Sequence, residues 1–197
     1  MAETIETRPF PPFLPKKATV MMMGTFPPEQ SKRAMEFHYP NFQNDMWRVF
    51  GLVFFDEKDH FRNGEEKAMD PEKIKAFLSE AGIASCPTVL KAIREKGNAS
   101  DAFLKVVEPV PLADVLEQIP VCKHIGTTGG KATEILLSLL PEKVKLPKTG
   151  ETIPFVFNGR ELTLTRLPST SRAYPLSLPK KAEAYKNFFK ACGLKTK

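Results

Sequence analysis

Residues 39–47 combine aromatic rings with side-chain amides, and Tyr39, Asn44 and Trp47 are the members that could do chemistry. Aromatic rings stack on a planar nucleobase, and amides hydrogen-bond to the edges of the base. Asn44 and Trp47 are three residues apart, so they share a face of any helix that begins at Asn44. The segment therefore indicates recognition of a nucleobase. Two structural alternatives stay open, a core position for Trp47 and a helix cap at Asn44.

Three loops follow apolar runs that predict buried strands, and they cover residues 24–28, 126–130 and 167–174. The first run, residues 18–23, is apolar at almost every position, as in a parallel strand that is buried on both faces. Loops after parallel strands meet at one edge of the sheet, where ligands bind in open α/β folds. We therefore expect a functional site at this edge.

The glycine-rich loop at residues 126–130 precedes Lys131 and resembles a phosphate-binding loop at first sight. It lacks the nucleotide-binding pattern, because Ile125 stands where the first glycine is required and Ala132 replaces the Ser or Thr. Backbone amides at a helix start could still hold one phosphate group, and a turn for tight packing is the alternative.

Alternating strands and helices along the chain predict an α/β fold, a three-layer α/β/α sandwich around a short, mainly parallel four-stranded sheet. Helices are predicted over residues 44–54, 70–81, 84–96, 100–107, 111–119, 131–140 and 179–192. Further strands are predicted over residues 121–125 and 155–165, the latter as a hairpin that turns at Asn158-Gly159. Residues 1–17 predict an extended proline-rich arm, and residues 18–197 predict a single domain.

The charge of the chain is basic and unevenly distributed, with a formal net charge of +6 at pH 7. Residues 141–197 hold 12 Lys and Arg against 4 Asp and Glu, whereas residues 1–140 hold 17 against 19. A basic C-terminal third fits a polyanionic partner, because neutralising phosphates releases counterions. A solvated lysine-rich face is the alternative.

The cysteines are three in number and widely scattered, and no clustered histidine accompanies them. We therefore expect no metal and no other cofactor. The sequence lacks the pattern of a secretory signal and any apolar run near the roughly 20 residues of a membrane span. These features predict a cytoplasmic protein that does not contact a membrane.

Three segments in order resemble the uracil-DNA glycosylase superfamily, and among its branches the mismatch-specific and hypoxanthine-DNA glycosylases. They are Gly24-Thr25-Phe26-Pro27-Pro28, then Tyr39 followed by Asn44-Asp45-Met46-Trp47, and finally Leu167-Pro168-Ser169-Thr170-Ser171. The resemblance implies that residues 18–197 form one uracil-DNA glycosylase-like domain. It also implies a monofunctional DNA glycosylase of base-excision repair, which flips uracil or hypoxanthine out of DNA and hydrolyses the N-glycosidic bond. We expect it to act on DNA as a monomer.

The resemblance further implies a division of roles. The pocket for the flipped base would be formed by Gly24, Thr25, Phe26 and Pro27, with Tyr39 as the stacking ring and Phe37 or His38 as its alternatives. Asn44 matches the asparagine on which the hypoxanthine branch relies for catalysis, and Asp45 is a second candidate, with a helix cap as its alternative role. The DNA would be bound by Pro168, Ser169, Thr170, Ser171 and Arg172, and Arg172 or Tyr174 would fill the gap left by the base.

Two positions depart from the pattern of the family. Many relatives have Asp, Glu or Asn where this chain has Phe26, and His or Asn where it has Leu167. The chemistry would then depend heavily on Asn44, whose amide can stabilise charge that develops on the leaving base. A non-catalytic nucleic-acid-binding module with the same fold is the first alternative, and a hydrolase of free nucleosides is the second.

Overall fold

The chain folds around a five-stranded central sheet in the computed structural model, which describes residues 2–95 and 101–197. Its strands are β1 Ile5–Thr7, β2 Val20–Met23, β3 Ile83–Ser85, β4 Val89–Arg94, β5 Leu104–Pro109, β6 His124–Thr128, β7 Thr152–Phe157 and β8 Arg160–Leu167. Its α-helices are α1 Met46–Phe55, α2 Pro71–Ala81, α3 Leu112–Gln118, α4 Gly130–Ser138 and α5 Leu178–Ala191. The central sheet has the order β3-β2-β6-β8-β7, in which the first four strands are parallel and β7 is antiparallel to β8.

The central sheet lies between two layers of helices, and β2 is therefore buried along its whole length. Val20 and Met22 pack with α1, α2 and α5, whereas Met21 and Met23 pack with α3 and α4. Successive side chains of a strand point to opposite faces, so burial of all four residues requires a cover on both sides. The predicted three-layer architecture is therefore confirmed, with five strands in the sheet instead of four.

Local capping and turn signals set several element boundaries. Asp70 begins α2, and its Oδ1 accepts hydrogen bonds from the amides of Glu72 and Lys73 at 3.0 and 3.1 Å. Asn158 and Gly159 have φ angles of +49° and +76°, the left-handed conformation that a two-residue hairpin turn requires. The predicted hairpin is confirmed as β7 and β8.

The helices predicted over residues 84–96 and 100–107 are wrong where the structure describes them. Residues Ile83–Ser85 belong to the central sheet as β3, and β1, β4 and β5 form a separate antiparallel sheet. Exposed residues alternate with buried or half-buried ones along β5, as in a strand with one solvated face. Short apolar runs do not distinguish strands from helices. In addition, β1, one of the strands that pair with β4, lies at the start of the chain and is distant in sequence. Residues 96 and 100 of these ranges lie outside the described residues.

The N-terminal segment, residues 2–17, connects the two sheets. β1 pairs with β4, and Phe13 exchanges two backbone hydrogen bonds of 2.8 and 2.9 Å with Ser85 at the end of β3. Phe10 is buried, and Phe13 packs against the core between the central sheet and α1. These contacts bring the segment to the edge of the central sheet at which the parallel strands end.

Candidate functional site

A cavity of about 670 Å³ lies at the carboxyl ends of the parallel strands. All three loops that were predicted to converge contribute to its wall, the second through Thr128. The parallel register explains this, because Met23 lies opposite Thr127, and Thr128 lies opposite Leu167. The predicted site residues that line the cavity are Gly24, Thr25, Phe26, Pro27, Tyr39, Asn44, Ser169, Thr170 and Ser171.

Tyr39 connects the segment before α1 to the end of β6. Its hydroxyl shares a hydrogen bond of 3.1 Å with Thr128 Oγ1. Burial raises the pKa of the Tyr39 phenol well above its usual value, so the ring stays neutral at physiological pH. The residue has φ of +52°, a left-handed conformation that is uncommon for a tyrosine. Gly24 makes this placement possible, because a Cβ atom there would lie 2.6 Å from the Tyr39 hydroxyl oxygen.

Asn44 immediately precedes Asp45, the N-cap residue of α1, and lines the cavity. Its Oδ1 accepts a hydrogen bond of 2.9 Å from the Met46 amide, in an Asx turn that begins the helix. Among residues 2–95 and 101–197, its Nδ2 group has no hydrogen-bond acceptor, so this donor is available to a molecule in the cavity. Trp47 is buried, as its structural alternative predicted, and donates from Nε1 to the His38 carbonyl at 3.0 Å.

Asp45 does not line the cavity, although it is adjacent to Asn44 in the chain. Its carboxylate lies 3.1 Å from Lys181 Nζ, 3.4 Å from Arg172 Nη2 and 3.7 Å from Arg48 Nη1. Lys181 is only 1% exposed, which makes this an ion pair withdrawn from water. Through these ion pairs, Asp45 links α1, α5 and the loop after β8.

The loop after β8, residues 168–174, is held by hydrogen bonds from residues outside the loop to its backbone carbonyl groups. Three of them accept hydrogen bonds of 2.9, 2.9 and 2.7 Å from the Asp45 amide, Lys181 Nζ and Tyr185 Oη. Of the predicted DNA contacts in this loop, Ser169, Thr170 and Ser171 line the cavity, whereas Pro168 and Arg172 do not. The Arg172 side chain is half exposed beside Asp45.

Asp101 and Thr25 form a polar pair in the cavity wall. Thr25 Oγ1 donates to Asp101 Oδ2 at 2.8 Å. Burial raises the pKa of the Asp101 carboxyl, and the hydrogen bond from Thr25 partly opposes this rise. The two residues are 76 positions apart, so no local motif could have indicated the pair.

His38 and Ser85 form a second polar pair in the wall. Burial lowers the pKa of His38 to about 4, so the imidazole is neutral at physiological pH. A neutral imidazole has one donor and one acceptor, which fits donation from Nε2 to the Pro11 carbonyl at 2.8 Å and acceptance at Nδ1 from the Ser85 hydroxyl at 2.6 Å. Of the two rings proposed as alternatives to Tyr39, His38 lines the cavity and Phe37 does not.

Apolar and basic side chains complete the wall. The Phe26 ring lines the cavity and lies beneath the Arg94 guanidinium, with 5.4 Å between the guanidinium carbon and the ring centroid. Arg8 and Phe10 reach the cavity from the N-terminal segment. Leu167 is buried in the core and contributes no polar group to the site.

The described ranges contain no cluster of three or more His, Cys, Asp or Glu side chains that could hold a metal ion. Within the same ranges, no helix combines the length and the apolar character that a membrane span requires.

Comparison with known proteins shows the fold of the chain. A solution NMR structure from Methanosarcina acetivorans, which carries a provisional name as a uracil DNA glycosylase, matches 96% of this chain and 99% of its own length. The TM-score is 0.64 and the sequence identity is 21%. No family model and no curated protein matches the sequence. The chain therefore has the fold of that structure.

Proposed function

We propose that this protein is a monofunctional DNA glycosylase of the uracil-DNA glycosylase superfamily, acting as a monomer in base-excision repair. The observation that carries the proposal is the meeting of the three loops around one cavity of about 670 Å³. Binding pockets for small molecules typically measure about 300–1,000 Å³, so the cavity has room for a flipped nucleobase and its sugar. The similarity of the fold to the Methanosarcina acetivorans structure, whose provisional name is uracil DNA glycosylase, agrees with this function.

In this proposal the cavity binds uracil or hypoxanthine between aromatic surfaces and reads its edge with an amide. Tyr39 and Phe26 supply rings in the wall, and Asn44 supplies the Nδ2 donor. Both bases carry a carbonyl oxygen that can accept a hydrogen bond from this donor. As the glycosidic bond breaks, negative charge develops on the base, and a donor aimed at that charge contributes on the order of 3 kcal/mol to catalysis.

The loop after β8 is the proposed contact with the DNA backbone. The hydroxyl groups of three residues that line the cavity, Ser169, Thr170 and Ser171, are suited to bind phosphate oxygens. Arg172 extends from the same loop and is half exposed, so it can occupy the space that a flipped base leaves in the duplex. The ion pairs of Asp45 hold this loop in place, and we therefore propose a structural role for Asp45. The proposed catalytic side chain is Asn44.

The proposal is tested with a cleavage panel. Labelled oligonucleotides that carry uracil, hypoxanthine, xanthine or a normal base, single-stranded or mispaired, are incubated with the protein and then heated in alkali to break abasic sites. We expect cleavage at uracil or hypoxanthine and none at the normal base.

The variant Asn44→Asp separates catalysis from the turn that precedes α1. An aspartate keeps an oxygen for the Met46 amide but replaces the Nδ2 donor with a second acceptor. We expect a loss of roughly 100- to 1,000-fold in cleavage rate with little change in thermal stability. Asn187→Asp makes the same chemical change at an exposed position of α5 and should leave the cleavage rate unchanged.

A non-catalytic nucleic-acid-binding module is the second candidate function, because Phe26 and Leu167 bring no polar group to the cavity. This alternative predicts DNA binding that weakens steeply with salt and no abasic sites from any oligonucleotide in the panel. That combination of results would replace the glycosylase proposal.

A further inference from the structure

The wall of the cavity contains one acidic side chain among the residues that the structure describes, and it is Asp101. Its Oδ2 is held by the Thr25 hydroxyl at 2.8 Å. Among residues 2–95 and 101–197, Oδ1 has no hydrogen-bond donor, which leaves one carboxylate oxygen for a molecule in the cavity. Thr25 follows Gly24 in the first loop and is itself buried, so the carboxylate is fixed against the floor of the site.

Hydrolysis of a glycosidic bond is accelerated by a group that positions water and accepts its proton. The ordinary candidates for this role are Asp, Glu and His side chains within hydrogen-bond reach of the water. Asp45 is occupied by three cations outside the cavity, and the single histidine in the wall, His38, uses both ring nitrogens for Ser85 and Pro11. This elimination leaves Asp101.

We propose that Asp101 is the general base of this site, an inference that rests on the glycosylase function proposed above. A water molecule bound to Asp101 Oδ1 attacks the anomeric carbon of the flipped nucleotide. The new C–O bond forms while the C–N bond to the base breaks, and the bonding electron pair leaves with the base. The water proton passes to the carboxylate and from there, through solvent, to the released base. The products are a neutral base and an abasic site with a hydroxyl group on the anomeric carbon.

The surroundings of Asp101 suit a carboxylate that is ionised and still basic. Arg94 from β4 and Lys131 from α4 are the cations that favour its charged form, and burial acts against that form. Tyr39 also interacts electrostatically with Asp101 and is neutral. The cations that line the described part of the cavity wall are Arg8 and Lys32. Since burial raises the pKa of Asp101, activity should be lost on acidification at a higher pH than an exposed aspartate would give.

The test measures the single-turnover cleavage rate against pH for the full-length chain and two variants of Asp101. Asp101→Asn keeps the shape of the side chain and an oxygen for the Thr25 hydroxyl, so the protein should fold and bind DNA as before. We expect its cleavage rate to fall about 100-fold or more. The residual rate should no longer decrease as the pH is lowered, because the group that titrates is gone. Asp114→Asn removes an exposed carboxylate from α3 and should change neither quantity.

Asp101→Ala allows a second experiment, because the shorter side chain leaves space in which a small carboxylate can bind. Formate should restore part of its cleavage rate, and chloride at the same ionic strength should not. A purely structural role for Asp101 predicts no formate effect.

The outcomes separate this inference from the function on which it rests. If the wild-type protein cleaves and Asp101→Asn keeps its rate and its acidic decline, the glycosylase stands and Asp101 is not the base. Failure of formate to raise the rate of Asp101→Ala also overturns the inference, even if Asp101→Asn is unstable. A wild-type protein that forms no abasic sites removes the proposed function and this inference together.

Discussion

The contact between Gly24 and Tyr39 allows a sharp test of how the cavity wall is assembled. In Gly24→Ala, the new methyl group would lie 2.6 Å from the Tyr39 hydroxyl oxygen and 3.3 Å from Thr128 Oγ1. Gly24 does not have a positive φ angle, so the backbone itself tolerates alanine and the whole cost comes from these contacts. Tyr39 must move, which breaks its hydrogen bond to Thr128 at a cost of about 1 kcal/mol. Overpacking adds about 1 kcal/mol or more.

We therefore expect Gly24→Ala to lower the free energy of unfolding by about 2 kcal/mol, which corresponds to roughly 4–8 °C in melting temperature for a chain of this size. The same substitution in a Tyr39→Phe background meets no hydroxyl group, and the nearest remaining contact is the ring carbon at 3.2 Å. Its cost there should fall by about 1 kcal/mol or more, a coupling that a double-mutant cycle of urea or thermal unfolding resolves. Equal costs in the two backgrounds would refute the role that we assign to this contact.

Three further predictions concern the parts of the site that hold charge. Lys181→Met should lower the free energy of unfolding by on the order of 2–3 kcal/mol in urea titrations, because it leaves Asp45 with two more distant arginines; adding Asp45→Asn should recover part of that loss, and no recovery would contradict the pairing. Thr25→Val removes the hydrogen bond that lowers the pKa of Asp101, so the acidic decline of the cleavage rate should move to higher pH; a shift to lower pH would contradict the sign. Arg172→Ala should weaken DNA binding and reduce the slope of log affinity against log salt by about 1, as measured by fluorescence anisotropy, because the charge that fills the space of the flipped base lies between the phosphates of the two strands; an unchanged slope would exclude insertion of this charge into the duplex.

The parts of the fold that the sequence predicts are those that local physics decides. The hairpin at Asn158-Gly159 depends on two residues that accept left-handed φ angles, and the start of α2 depends on the Asp70 side chain. The burial of Val20–Met23 on both faces follows from an uninterrupted apolar run. Residues 89–94 and 104–109 were predicted as helical because short apolar runs do not distinguish a strand from a helix; in the structure they pair with each other as β4 and β5, and β4 also pairs with β1 from the start of the chain.

In the candidate site, likewise, the position of the loops could be predicted from the sequence, whereas the partners of the side chains could not. The three loops were predicted to meet because parallel strands place their following loops at one edge, and this topology needs no atomic detail. The partners of individual side chains could not be predicted, since they come from distant parts of the chain. Asp45 is adjacent to Asn44 but is paired with Lys181 on the last helix. Asp101 lies beside Thr25 although no motif connects them.

We expect the walls of the cavity to differ in local stability. The loops after β2, β6 and β8 continue from the central sheet, whereas Arg8 and Phe10 belong to a segment whose strand pairs over only three residues. A three-residue strand at the edge of a sheet opens with lower free energy than a sheet core, so native-state hydrogen exchange at the amides of Arg8 and Phe13 should be faster than at those of β2 and β6. Under the proposed function, opening of the N-terminal segment would widen the cavity for a bulkier base while the loops after β2, β6 and β8 remain attached to the central sheet.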